Sequence, residues 1–411
     1  MGFLDKLSNA VNSATEKAKG VVDNAKASME QKKAEKEALE AEMQQKTEEK
    51  KNEIINTILS NENNGSLFDG IDKDTLLNFT KNFYDKLLLP AKSVALSKIY
   101  MHPYIDGKDL EKVIAAVDNY DDSETPILLI KAENKQLIFI TDKSLYFVLC
   151  LPENTKYMVK GKVSNDEISQ IDFELGEEKS FVKCDGYTFA EFKTTKVITE
   201  DFISLTDYFT RLRNKAFDIT DAEVDALIKE KIGSKIVSEL KKYMVYDDEQ
   251  FVYFAWGLDS LAAKDYIVCT NKQIIVLDRE GFGATSNVHQ FYYEDITSAS
   301  TEQNSNSESL TGYLIDTAVT AATKTCDLYF SVAGAKNKIK TLYKVEAERI
   351  VAVYHEYRKA AKDAAAQPQV VVQQATEDPL AQLEKLNKLK EAGIISDEEF
   401  NAKKADLLSK I

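Results

Sequence analysis

The sequence predicts an α+β chain with a long N-terminal helical arm, two β-rich barrels or sandwiches each closed by a C-terminal helix, and a two-helix tail. Three observations predict it. The first 60 residues hold no proline and are rich in Ala, Lys, Glu and Gln, a composition that favours helix. After Val117 the hydrophobic period changes from 3.6 to 2. One β-rich itinerary then appears twice, and internal repetition is the strongest single guide to architecture. With 411 residues and 44% hydrophobic content, the chain is long enough for two or three domains with cores of their own.

The arm is assigned to residues 1–60. Leu4, Val11, Ala18 and Ala25 recur every seven residues, with Leu7, Ala14 and Val21 offset by three. Phe3, Leu4, Leu7, Val11 and Val21 are therefore the candidate coiled-coil or membrane-facing stripe. Residues 30–53 turn to mixed Lys and Glu with few apolar positions, Leu39 and Met43 among them, so they are expected to form a solvated spacer helix. A helical segment is assigned to 67–119. Asp72 caps its first helix, which runs through Leu76, Phe79, Phe83 and Leu87 to Leu89 and is expected to stop at Pro90. A second helix is expected to about Tyr100, and a short amphipathic one over Leu110, Val113, Ile114 and Val117.

The repeat follows. Tyr120-Asp121-Asp122-Ser123-Glu124 leads to a strand, then Ile140-Thr141-Asp142-Lys143-Ser144. Tyr246-Asp247-Asp248-Glu249 leads to Phe251–Trp256, then Cys269-Thr270-Asn271-Lys272-Gln273. Asp or Asn followed by Lys between β-rich runs is turn chemistry, so each copy predicts a hairpin. Further strands are expected near 180–183, 187–193 and 325–332, with closing helices over 200–217 and 338–362. Leu314 to Thr325 suits either a strand pair or a short inserted helix. Six or seven short antiparallel strands closed by one helix resemble the bacterial pleckstrin-homology-like (PH-like) fold. The segment Cys269–Leu277 is similar to the family's strand, Thr-Asn-Lys, strand signature, with Gln273 where Arg is common. The resemblance implies PH-like domains at 120–217 and, with a preceding helix, at 222–362.

Residues 364–376, with Pro368 and little charge, read as a linker. Beyond them Asp378-Pro379 caps a helix with Leu380, Leu383, Leu386 and Leu389 on one stripe, ended at Gly393. Ile394 leads into a capping box, Ser396 with Glu399, and a second helix carrying Phe400, Leu407 and Leu408. Residues 377–411 resemble the short C-terminal (SHOCT) domain in helix, Gly-Ile turn, acidic cap and Phe before Lys-Lys. A unit this small cannot hide both stripes alone, so those eight apolar residues are its expected association face.

No chemistry emerges beside these surfaces. The three histidines are scattered, the four cysteines lack metal or disulfide spacing, and no phosphate-loop or nucleophile motif is present. No cofactor or metal is expected. A net charge of −15 disfavours nucleic acid as a partner. Without a signal-like or membrane-spanning apolar run, a cytoplasmic location is expected. The sequence thus predicts a non-enzymatic scaffold that associates with itself or with other proteins. The alternative is a peripheral protein whose arm lies on an anionic membrane at the inner face of the cell membrane, with Lys6, Lys17, Lys19 and Lys26 beside the apolar stripe.

Overall fold

The computed structural model describes residues 3–60, 65–92, 94, 96–105, 107–132, 136–151, 153–257, 265–280, 284–303 and 325–366. The tail, residues 367–376 of the expected linker and most of 301–325 lie outside them, while 364–366, expected as linker, are helical. Contacts divide the chain into two units, Met1–Val353 and Tyr354–Ile411.

The arm is one helix, α1 (Phe3–Leu59). Exposed i,i+4 pairs such as Lys33–Glu37 and Lys36–Glu40 decorate its middle and contribute little each. The solvated-spacer expectation for residues 30–53 fails at Met43, which is buried, as are Ile54 and Ile58 just beyond that stretch. Spacings of 11 and 4 residues put these three side chains on one helix face.

Helix α2 (Lys73–Phe83) begins where Asp72 Oδ1 accepts the Thr75 N–H at 3.0 Å. Pro90 does not stop the helical path as expected. A π turn, Tyr84–Leu88, widens the spiral ahead of it, and a last turn, α3 (Leu89–Ala91), contains the proline. The helix expected up to Tyr100 is also absent, since Ile99–Met101 is a strand, β1, paired with the following one. Its three residues are too few to show a period. Helix α4 (Gly107–Ala116) comes next.

The first module has strands β2 (Pro126–Lys131), β3 (Leu137–Thr141), β4 (Ser144–Leu151), β5 (Asn154–Ser164), β6 (Ile171–Glu174), β7 (Lys179–Cys184) and β8 (Tyr187–Lys193), closed by α5 (Lys196–Asn214). Two helices follow, α6 (Asp221–Ile232) and α7 (Ser234–Leu240). The second module has β9 (Phe251–Trp256), β10 (Tyr266–Thr270), β11 (Gln273–Arg279), β12 (Thr285–Tyr292), β13 (Ile296–Gln303), β14 (Thr325–Val332) and β15 (Ala335–Tyr343), closed by α8 (Lys344–Ala366). The last helix therefore starts six residues later than expected, residues 338–343 being strand.

All pairings are antiparallel. Sheet orders are β1-β2-β3-β4-β5 with β6-β7-β8 in the first module, and β12-β11-β10-β9 with β13-β14-β15 in the second. Strands β3 and β9 are buried on nearly every residue, which is why their sequences read as apolar runs instead of alternating. In the first module α4 explains this, because Val113 and Val117 cover Leu129, Phe139, Tyr146 and Val148 on the outer face of the sheet.

The repeated sequence forms the same clasp in both modules. Buried Glu124 accepts hydrogen bonds from Thr141 Oγ1 (2.5 Å), Ser144 Oγ (3.1 Å) and Lys162 Nζ (2.8 Å). Glu249 accepts from Thr270 Oγ1 (2.7 Å) and Gln273 Nε2 (2.9 Å). Each threonine oxygen also receives two backbone N–H groups of its turn, from Lys143 and Ser144 in one module and from Lys272 and Gln273 in the other. Asp142 and Asn271 reach back to the backbone N–H of Thr125 and Gln250 at 2.6 and 3.0 Å. The Thr-(Asp/Asn)-Lys turn is thus fastened to the strand before it by a carboxylate that burial leaves no water to replace.

Three of the four cysteines are buried and none is in a disulfide. Burial pushes the Cys269 thiol up to about 12, so it behaves as an inert core group.

Candidate interaction surfaces

The two modules can be compared position by position, because their strand registers agree. Ser144 to Leu149 face Ser164 to Val159 as Gln273 to Asp278 face Tyr292 to Asn287. Phe147 opposite Gly161 thus corresponds to Val276 opposite His289, and Leu145 opposite Val163 to Ile274 opposite Phe291.

In the first module the seam between the two sheets, along β5 and β8, is covered by the end of α1. Val159, Gly161 and Val163 of β5 are buried. Gly161 is required there, since an added Cβ would lie 2.1 Å from Cζ of fully buried Phe147, whose ring packs 5.2 Å from that of Phe189 on β8. Ile54 seals the middle. The Lys50 ammonium, paired with Glu53 at 2.8 Å, lies 5.5 Å from the centre of the Tyr187 ring. A gap of about 270 Å³ remains between Lys50, Ile54, Cys150, Val159 and β8.

The equivalent seam of the second module is built differently. A cavity of about 290 Å³ is lined by Asp265, Val276, Asp278, His289, Phe291, Asn337, Lys338 and Ile339. Val276 is smaller than its counterpart Phe147 and leaves the space that the phenylalanine fills. His289, in place of glycine, stands at the rim with Nε2 3.1 Å from Asp278 Oδ2. Ser286, Asn287, His289 and Gln290 of β12 are exposed, in contrast to β5.

Between the modules, α2, the π turn, α3, α5 and α6 make a helical layer. Thr80 and Tyr208 share a buried hydrogen bond at 2.7 Å, and the rings of Phe79 and Tyr208 stack at 5.5 Å. Helix α6 packs on β9, with Asp225 Oδ1 accepting the Phe251 N–H at 2.9 Å. Arg349 and Asp85, both buried, approach to 3.9 Å across the layer. Lys92 is buried above the Tyr84 ring, 4.7 Å from its centre, and its Nζ donates to the Ile99 carbonyl at 3.1 Å. Burial pushes this lysine down to about 8, against the pull of Asp201 and Glu346. Burial likewise pushes the Asp201 carboxyl up to about 6, with the Ser97 hydroxyl and Lys92 offsetting it only in part.

These shifts set a pH dependence. Asp201 titrates higher folded than unfolded, so its contribution to stability is complete below about pH 4 and is lost as the pH rises through about 6. Lys92 titrates lower folded than unfolded, so stability is regained from about pH 8 towards 10.5. Asp201→Asn should remove the fall between pH 4 and 6, a difference on the order of 3 kcal/mol in urea-unfolding free energy. An unaltered profile for this variant would assign the fall to other groups.

The sequence-predicted surfaces are placed only in part. Phe3, Leu4, Leu7, Val11 and Val21 lie on α1. Leu380, Leu383, Leu386, Leu389, Ile394, Phe400, Leu407 and Leu408 lie outside the described residues. The seam under α1 was not foreseen, though Met43, Ile54 and Ile58 at intervals of 11 and 4 carried its signal. Among the described residues no group of three or more His, Cys, Asp or Glu is placed to hold a metal ion, and no helix is long and apolar enough to cross a membrane.

Comparison with known families agrees with this architecture. Residues 238–354 match the bacterial PH domain family, and residues 381–408 match the short C-terminal domain, SHOCT. The chain carries a bacterial PH domain and a SHOCT domain. The PH match runs from the last three residues of α7 through the seven strands of the second module to the first half of α8. Similar solved structures include a pleckstrin-homology-domain protein of Shewanella loihica PV-4, at 21% identity over 30% of this chain and 91% of that one, TM-score 0.21. A pleckstrin homology domain of Shewanella amazonensis SB2B is 18% identical over 31% and 97%, TM-score 0.21. The hSac2 domain of the human phosphoinositide phosphatase Sac2 is 13% identical over 32% and 84%, TM-score 0.22. No curated protein matches the chain. PH-like and SHOCT domains are non-catalytic, and their presence suggests interaction with protein or lipid.

Proposed function

We propose that this chain is a non-enzymatic scaffold that assembles with copies of itself through its arm and its SHOCT domain, around a body of two PH-like modules. The first module, residues 120–217, is read as PH-like because it repeats the strand order, register and glutamate clasp of the second. Strand β1 extends its first sheet.

The observation that carries the assembly reading is the apolar stripe of α1. Met43, Ile54 and Ile58 bury it against the first module, while Leu39 and Met29, 4 and 14 residues earlier on the same face, are 53% and 73% exposed. Lys36 and Lys32 share that face, so the exposed part of the arm offers a further partner two apolar contacts beside basic ones. The SHOCT sequence supplies a second such surface.

Light scattering on the full chain and on a chain ending at residue 376 tests this. The full chain should exceed the mass of one chain, and removal of residues 377–411 should lower the assembly state. A single-chain mass for both would overturn the proposal.

A further inference from the structure

We propose that the open seam of the bacterial PH domain, between β12 and β15, receives the exposed part of α1 from a second copy of this chain. The inference rests on the self-association reading above and names the surface that would carry it.

Three observations lead to it. First, the chain contains a worked example of the contact, because the corresponding seam of the first module, β5 with β8, is covered by the end of α1 through Met43, Ile54 and Ile58. The registers of the two modules superpose at this seam, so the same edge of the sheet is presented twice. Second, the seam of the PH domain holds a cavity of about 290 Å³ with an apolar floor of Val276, Phe291 and Ile339, and the β12 residues at its rim are exposed. Third, the face of α1 that fills the first seam carries two further apolar side chains beyond it, Leu39 and Met29, exposed within the single chain and separated by Lys36 and Lys32. A helix rises about 1.5 Å per residue, so the 37 residues from Phe3 to Leu39 reach roughly 55 Å. Since Leu39 and Met29 and the β12 rim are all exposed in one chain, the arm does not close this seam within its own molecule. A second copy satisfies both surfaces.

His289 shapes the fit. Where Gly161 lies under the ring of Phe147, His289 occupies the exposed rim of the cavity with its imidazole turned to Asp278. The contact is heterologous, arm to seam, so it joins two chains reciprocally or propagates along several.

The test places a photo-crosslinking benzoylphenylalanine at exposed position 289 in the full chain, mixes unlabelled and 15N-labelled protein, and maps the linked peptides after irradiation. Mixed-isotope links to residues 28–43 are expected, together with at least a tenfold weaker self-association of Met29→Glu/Leu39→Glu. Links confined to one chain, links to residues 304–324 or 377–411, or no links from a chain that scatters as an oligomer would overturn the inference and leave the assembly reading standing. A full chain and a residue 1–376 chain that both scatter as monomers would overturn the two together.

Discussion

Replacing Glu124 with alanine is expected to destabilise the protein by about 3 kcal/mol, the cost of leaving buried hydrogen-bonding groups and a partly buried cation without their acceptor. Glu124 takes the Thr141 and Ser144 hydroxyls and the Lys162 ammonium, and its own side chain is almost wholly out of water. Lys162 is one-third exposed and can rehydrate, which keeps the expected loss at the lower end of the range for buried ion pairs. Glu249→Ala should cost less, about 2 kcal/mol, because its two partners are neutral. Chemical denaturation of the two variants checks the order. Equal and small losses, under about 0.5 kcal/mol, would mean that water takes over the glutamate's role and that the clasp does not hold the hairpins.

Placing a charge at Ile54 is expected to have the larger structural effect. This side chain is fully buried against the seam of β5 and β8, where Ile54→Ala alone should cost about 2–4 kcal/mol in lost transfer energy and cavity. Ile54→Asp adds the desolvation of a carboxylate, which Lys50, four residues earlier and lining the same gap, offsets only in part. The arm can escape that cost by leaving the seam. Fast amide exchange over residues 43–59 is therefore expected in Ile54→Asp, with protection in β9–β11 retained. Unchanged protection of 43–59 in this variant would show that the helix is held by contacts other than its apolar stripe. Exposed Leu39→Asp serves as the control and should leave the body of the protein unaltered.

Much of the β architecture was legible because its signals are local. The Thr-Asp-Lys and Thr-Asn-Lys turns marked both hairpins, and Phe251–Trp256, Tyr187–Lys193 and Thr325–Val332 are strands as their aromatic and β-branched content predicted. What failed was decided by contacts distant in sequence. Ile99–Met101 is a strand only because Leu128–Ile130 lies beside it. Residues 338–343, with two lysines and a favourable helical composition, extend a strand because β14 pairs with them. Met43, Ile54 and Ile58 sit among charges, and nothing nearby in the sequence says that β5 and β8, far along the chain, offer them a seam. Pro90 misled for a different reason, since a π turn widens the helix in a way composition does not announce. The seams themselves were invisible. Their difference rests on single side chains, phenylalanine against valine and glycine against histidine, whose opposition appears only once the register is known.

The seating of α1 on β8 also sets a schedule for synthesis. Ile54 leaves the ribosome about 130 residues ahead of Tyr187, so at roughly 5–20 residues per second the stripe waits roughly 7 to 27 s before its covering strand exists. During that interval the nascent chain displays a helix with an uncovered apolar edge, and neighbouring chains on the same message display it too. A surface that ends as an internal seal is thus first offered to siblings, and chaperone occupancy of the nascent arm should fall once β8 has emerged.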